Sequence, residues 1–63
     1  MKYETRAGYI VKIVEDSAGL NWKATTNDFE FFNKYIADLK WKPKEEAQAD
    51  LDRIAQEAGL DSV

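Results

Sequence analysis

Residues 43–60, PKEEAQADLDRIAQEAGL, predict one amphipathic helix whose two ends are both marked in the sequence. Pro43 suits the first helical turn because its missing N–H has no partner there, and Gly59 can adopt the left-handed conformation that ends a helix. Apolar residues recur at intervals of three and four, which places them on one side of the helix. The first forty residues must cover that apolar side, which is formed by Ala47, Leu51, Ile54, Ala55 and Ala58.

The residues before this helix begin with a β-hairpin signal. Tyr9–Val14 is rich in β-branched and aromatic residues, and Leu20–Thr25 alternates between apolar and polar residues. The turn-forming run Glu15–Gly19 separates them, so we expect a four- or five-residue hairpin loop. The alternation predicts that the inward-facing side chains are Tyr9, Val11, Ile13, Leu20, Trp22 and Ala24.

The middle segment, residues 28–41, has two interpretations. As a helix it gathers its aromatic and aliphatic residues on one continuous arc, and Asn27 followed by Glu30 has the spacing of a capping box. As a strand it shows a fair alternation of apolar and polar positions. We prefer the helix because about 13 residues exceed the common length of a strand. The Lys42–Pro43 pair then separates it from the last helix, because the residue before proline disfavours helical geometry.

These elements predict a single α+β domain over residues 1–63, with an N-terminal antiparallel β-hairpin packed against two C-terminal helices. The alternative is a three-stranded antiparallel sheet with one C-terminal helix. The chain is near the lower size limit for an unassisted hydrophobic core. It contains no cysteine and no histidine, so disulfides and the usual zinc ligand sets are excluded.

The composition also excludes most catalytic chemistry. Without cysteine or histidine the chain lacks the usual nucleophile–base pairs, and its three glycines form no phosphate-binding loop. We therefore expect a non-enzymatic protein with no metal and no cofactor. No run approaches the roughly 18 apolar residues of a membrane span, and residues 1–8 lack the core of a signal peptide. The expected location is the cytoplasm, with no membrane partner.

The net charge of −3 is unevenly distributed along the chain. Residues 1–42 contain seven Lys and Arg against six acids, whereas residues 43–63 contain two against six. On the last helix, Glu46, Asp50 and Glu57 lie within about 40° of one another, and Asp52 lies further round. This acidic edge predicts docking onto a basic protein surface, although a solvated helix face has the same pattern. Arg53, at helical spacing from Asp50 and Glu57, offsets part of their repulsion.

Two further surfaces have alternative interpretations. The run Lys40-Trp41-Lys42-Pro43-Lys44 could hold phosphates while Trp41 stacks on a base, as in a small nucleic-acid-binding domain. The net acidity of the chain makes nucleic acid the less favoured partner, since dedicated binders are strongly basic. The aromatic residues also exceed what a core of this size requires, and a homodimer would use the surplus. These aromatic residues are Trp22, Phe29, Phe31, Phe32 and Tyr35.

The hairpin Tyr9–Ala24 with its Trp22, followed by the helix Glu45-Glu46-Ala47…Leu51-Asp52-Arg53-Ile54-Ala55, resembles the small proteins of phages and mobile elements. Anti-CRISPR and other anti-defence inhibitors form the best-known functional group among them. The resemblance lies in size, charge and general sequence character. It implies a stoichiometric inhibitor that occupies a nucleic-acid-binding or effector surface of a host protein. Together, charge and resemblance predict a non-enzymatic protein-interaction module.

Overall fold

The computed structural model describes residues 1–63 as an α+β architecture in which helices cover one face of a sheet. The strands are β1 (Tyr3–Glu4), β2 (Ile10–Glu15), β3 (Trp22–Thr26) and β4 (Asp61–Ser62). They form one sheet in the order β3-β2-β1-β4, and each neighbouring pair is antiparallel. The predicted α+β class is confirmed, and the sheet has two strands more than the predicted hairpin.

The central hairpin, formed by β2 and β3, lies where the sequence predicts it, with Ile13 opposite Ala24. Its loop is held by Asp16, whose carboxylate accepts hydrogen bonds from the backbone N–H groups of Ala18 and Leu20, both at 3.1 Å. This is the turn chemistry expected of aspartate. Leu20 is 75% exposed, however, so the prediction that it faces the core is wrong. It belongs to the loop, where strand alternation does not apply.

The first strand, β1, lies inside the sheet although residues 1–6 have no strand pattern. Tyr3 is opposite Val11 and is buried with it in the core. A tight turn leads into β2, and Gly8 adopts the positive φ of 90° that this turn requires. Tyr9 precedes β2 and is 47% exposed, so it is not buried in the core as its predicted inward orientation would imply. Its backbone pairs with Thr5 across the turn instead.

The middle segment is helical, so the alternative with a third strand over residues 28–41 is wrong. The short helix α1 spans Phe29–Phe31. The side chain of Asp28, rather than the predicted Asn27, caps it by accepting a hydrogen bond from the N–H of Phe31. Both side chains are short and polar, and the cap position differs from the prediction by one residue.

Helix α1 continues directly into a π-helix over Phe32–Ile36. Its wider turn is closed by the N–H of Ala37, which donates to the carbonyl of Phe32 at 2.9 Å. The helical conformation therefore ends at Ile36, well before the predicted limit at residue 41. Within it, the rings of Phe31 and Tyr35 contact at 4.7 Å between centroids, and Ile36 is fully buried. Phe31 and Tyr35, two of the surplus aromatic residues, are therefore used in packing.

The predicted last helix is present as α2, Lys44–Ala58, and Pro43 is its N-cap residue rather than the predicted first helical residue. Gly59 has the left-handed φ of 70° that ends the helix, and Leu60 folds back so that its N–H donates to the carbonyl of Ala55. The apolar side of α2 packs across β2 and β3. This packing forms the hydrophobic core, whose buried residues are Tyr3, Val11, Ala24, Ile36, Leu51, Ile54 and Ala55.

The connection between the two helical segments pairs with the edge of the sheet. Trp22 and Lys42 exchange two backbone hydrogen bonds, of 2.6 and 2.9 Å, in an antiparallel bridge. In such a bridge the two facing side chains lie on the same side of the sheet. Lys42 therefore points toward α2, and the side chain of Trp41 lies on the opposite side.

Candidate functional site

The predicted acidic edge is largely occupied by contacts within the chain. Asp50 is only 19% exposed, and its carboxylate lies 2.8 Å from the ammonium group of Lys42. Arg53 lies 3.9 Å from the same carboxylate and 3.5 Å from that of Glu57, at the predicted helical spacings. Glu46 is exposed and has no ion pair. Cations of the same molecule therefore offset most of the charge of this edge.

Asp52, the fourth predicted acidic residue, joins α2 to β1. Its carboxylate accepts hydrogen bonds from the hydroxyl of Tyr3 at 2.6 Å and from the amide of Gln48 at 2.9 Å. The bond from Tyr3 is the main reason why the pKa of Asp52 lies below its ordinary value, and the bond from Gln48 adds to the shift. The same hydrogen bond raises the pKa of Tyr3, and burial acts in the same direction. The interaction stabilises the fold.

Replacing Tyr3 by phenylalanine is expected to destabilise the protein in a pH-dependent way. A lowered carboxyl pKa stabilises the fold above the ordinary value of 3.8, and this is lost as the pH falls through the folded-state pKa. A raised tyrosine pKa stabilises the fold below 10.0, and this is lost as the pH rises through the folded-state pKa. The urea midpoints of Tyr3→Phe and wild type should therefore differ most between about pH 4 and 10.

The control for this experiment is Tyr9→Phe, because Tyr9 is 47% exposed and its hydroxyl has no hydrogen bond within the chain. We expect its midpoint to follow that of wild type at every pH. The urea midpoints of Tyr3→Phe and wild type should converge below the folded-state pKa of Asp52. A difference in midpoint that stays constant there would contradict the assigned role of the hydrogen bond.

The predicted nucleic-acid segment, residues 40–44, does not form one surface. Lys42 points toward α2 and is paired with Asp50, and the ammonium group of Lys44 lies 4.8 Å from the ring centroid of Trp22. Trp41 lies on the other side of the sheet and is 49% exposed. Lys40 is exposed and makes no ion pair. The fold therefore separates Trp41 from two of the lysines that the sequence places beside it.

Helices cover one face of the sheet, and the opposite face is uncovered. Val11 is fully buried and Ile13 packs against the core, so both point toward α2. Because successive side chains of a strand alternate between faces, Lys12 and Val14 lie on the other side. We call this uncovered side the open face; the pairing register assigns to it Lys2, Glu4, Ile10, Lys12, Val14, Lys23, Thr25, Trp41 and Asp61.

Three lysines are neighbours on the open face. Lys23 is opposite Val14, which places it diagonally across from Lys12, at about 7–8 Å between backbone positions. Lys2 lies one residue before the pair Tyr3–Val11 and is therefore opposite Lys12. The ion pairs of the structure lie on or beside α2, and none involves these lysines. None of the three ammonium groups is within ion-pairing distance of a carboxylate.

Trp41 lies at one edge of the open face, and two carboxylates lie beside its lysines. The bridge between Trp22 and Lys42 places Trp41 beside Lys23, whose ammonium group lies 5.9 Å from the indole centroid. Glu4 is opposite Ile10 and Asp61 in the strand register, which places it diagonally across from Lys12, as Lys23 is on the other side. The open face therefore carries three cations and two carboxylates, and its aromatic ring lies at the edge beside Lys23.

Asp16 is the third ionisable group with a shifted pKa, and the shift has its cause in the hairpin loop. Partial burial raises the pKa of Asp16, but hydrogen bonds from Leu20, Asn21 and Ala18 outweigh it and leave the pKa below its ordinary value. No group of three or more carboxylates is arranged to hold a metal ion. None of the helices has the length and apolar character needed to span a bilayer.

A cleft of about 450 Å³ lies between the β1–β2 turn, the π-helix and the end of α2. It contains the cations Arg6 and Lys34 together with the acids Asp28 and Glu30. Asp28 already caps α1. Because both signs of charge are present, the cleft does not select a ligand by charge.

Comparison with known proteins finds no relative of this chain. The sequence matches no protein-family model, and neither a curated protein nor a solved structure resembles the chain at a significant level.

Proposed function

We propose that the protein is a non-enzymatic interaction module that binds an anionic macromolecule through the open face of its sheet. The observation that carries the proposal is the placement of Lys2, Lys12 and Lys23 as neighbours on a face that no helix covers. Adjacent like charges on a sheet are destabilising. The chain has 12 acidic residues, yet none forms an ion pair with these lysines. An anionic partner would supply the missing countercharge.

The three shifted pKa values have structural causes and do not suggest acid–base catalysis by these groups. A general acid or base works best when its pKa is close to the operating pH. The pKa values of Asp16 and Asp52 are lowered and that of Tyr3 is raised, so each shift moves away from neutrality. Each shift also has a structural explanation in a hairpin loop or in the contact between β1 and α2.

A second candidate function is the predicted binding of a basic protein surface by α2, as expected of a phage-type inhibitor. It is favoured by Glu46, which is exposed and unpaired, and by the exposed ion pair of Arg53 with Glu57, since exposed ion pairs are weak and can exchange partners. The double variant Glu46→Lys with Asp50→Lys tests it. Unchanged binding of a lysine-rich peptide, with unchanged salt dependence, would exclude this edge.

The open-face proposal is tested by titrating the protein with a fluorescent heparin oligosaccharide, a polyanion without bases. We expect binding at about 0.02 M salt that weakens steadily toward 0.2 M, because solvent-exposed charges are increasingly screened over this range. No binding at low salt, or an affinity that does not respond to salt, would contradict the proposal.

The expectation of a homodimer stays a prediction. Phe29 and Leu20 are 76% and 75% exposed, and they lie on α1 and on the β2–β3 loop respectively. Light scattering over a range of concentrations would show a rising mass if these side chains mediate self-association.

A further inference from the structure

We infer that the anionic partner of the open face is single-stranded nucleic acid, and that one of its bases stacks on Trp41. The inference rests on the proposed function of the open face, and it adds the class of partner and the residue that recognises it. It differs from the nucleic-acid surface predicted from residues 40–44, because only Trp41 of that segment is used. The cations come from three other parts of the chain.

The position of Trp41 is fixed by its neighbours. The next residue, Lys42, is held to Trp22 by two backbone hydrogen bonds, and Pro43 follows with a restricted φ. Trp41 is 49% exposed, and the ammonium group of Lys23 is near the outer limit of a cation–π contact with its ring, at 5.9 Å from the centroid. A ring that is held in place but not covered is a suitable platform for a flat ligand.

The cations extend from this platform across the strands. Trp41 lies beside Lys23 on the edge strand, Lys12 lies on β2, and Lys2 directly precedes β1. With about 4.8 Å between neighbouring strands, the row from the indole to Lys2 spans about 14 Å. A positively charged track that begins at an exposed aromatic ring is the arrangement by which proteins hold single strands without sequence preference.

Other polyanions fit this arrangement less well. An acidic protein segment or a sulfated sugar could pair with the lysines but has no flat π surface for Trp41. A duplex presents phosphates, but its bases are stacked on each other and are not available to an indole. Glu4 and Asp61 lie beside Lys2 and would repel a phosphate backbone there, so the contact is expected to be strongest at Lys23 and Trp41.

The test is a fluorescence anisotropy titration of a labelled ten-nucleotide oligodeoxythymidine at several salt concentrations. If three lysines each neutralise a phosphate, log Kobs should fall against log[salt] with a slope of about −2. Trp41→Ala should weaken binding by about 5- to 100-fold, because it removes the ring on which one base stacks. The slope of log Kobs against log[salt] for this variant should equal that of wild type, since no cation is removed. Trp41→Phe should restore part of the affinity.

The matched control is Phe29→Ala, which removes another exposed aromatic ring on α1 and should leave binding unchanged. Circular dichroism of each variant establishes that it is folded. The inference is overturned if Trp41→Ala binds the oligonucleotide as wild type does, or if duplex of the same length binds more tightly. In either case binding of heparin by the wild-type protein would leave the proposed function intact. If the wild-type protein bound neither heparin nor the oligonucleotide at low salt, the proposed function would fail together with the inference.

Discussion

Leu51→Ala is expected to unfold most of the protein at 37 °C. Leu51 lies at the middle of α2 and is fully buried, in a core cluster that also contains Val11 and Ile36. Truncating a buried leucine costs about 2–5 kcal/mol, because apolar contacts are lost and a cavity remains. A core of this size rarely supplies more than about 3–5 kcal/mol, and no disulfide is present to compensate. The expected loss is therefore comparable to the whole stability.

Urea denaturation followed by circular dichroism measures this effect. The control is Leu20→Ala, which makes the same chemical change at a leucine that is 75% exposed in the β2–β3 loop. We expect Leu20→Ala to lie within about 0.5 kcal/mol of wild type, as is usual for surface substitutions. If the two variants had equal midpoints, Leu51 would not be at the centre of the core.

Reversing two charges of the open face, Lys12→Glu with Lys23→Glu, is expected to abolish binding of both heparin and the oligonucleotide. The two positions are diagonal neighbours on adjacent strands. After the substitution only Lys2 would remain positive, next to four carboxylates. Electrostatic contacts dominate such binding, and the sign of the face would be inverted. Because both side chains lie on the uncovered side of the sheet, the fold should be retained.

The matched control is Arg6→Glu with Lys34→Glu, which changes the net charge equally. Both residues line the cleft beside the π-helix and lie outside the open face. We expect this control to lower affinity only slightly, through the long-range effect of net charge. Equal losses in the two double variants would show that the protein binds polyanions by overall charge rather than through the open face.

The elements with strong local signals were predictable from the sequence. Helix α2 has an apolar stripe, a proline before it and a glycine at its end, and the hairpin β2–β3 has alternating strands around an aspartate-held loop. Both lie close to their predicted bounds because propensity, periodicity and turn chemistry agree in these segments. The contacts of Arg53 with Asp50 and Glu57 follow from helical spacing alone.

Other elements depend on contacts that a local pattern does not contain. The strands β1 and β4 have two residues each, and they form because distant parts of the chain pair with each other. The π-helix is built from residues that equally suit an α-helix, so packing decides its wider turn. The ion pair of Lys42 with Asp50 joins the interhelical connection to α2, and it removes one carboxylate from the predicted acidic edge.

The open face was missed for a similar reason. Its cations are at positions 2, 12 and 23, and its aromatic ring is at position 41, so no window of the sequence contains them together. Net charge also pointed away from an anionic partner, because it averages over the helical side and the open face. The alternation of Tyr9–Val14 was the available signal, since it already placed Lys12 on the side opposite the core. The strand register was needed to bring the other residues beside it.

The most direct test is to map the binding site by nuclear magnetic resonance, using ¹⁵N-labelled wild-type protein titrated with the ten-nucleotide oligodeoxythymidine. We predict that the largest amide shift changes lie on β2 and β3 and around Trp41, and that the outward side of α2 is unaffected. Changes concentrated at the cleft of Arg6 and Lys34, or spread evenly over the chain, would contradict binding through the open face.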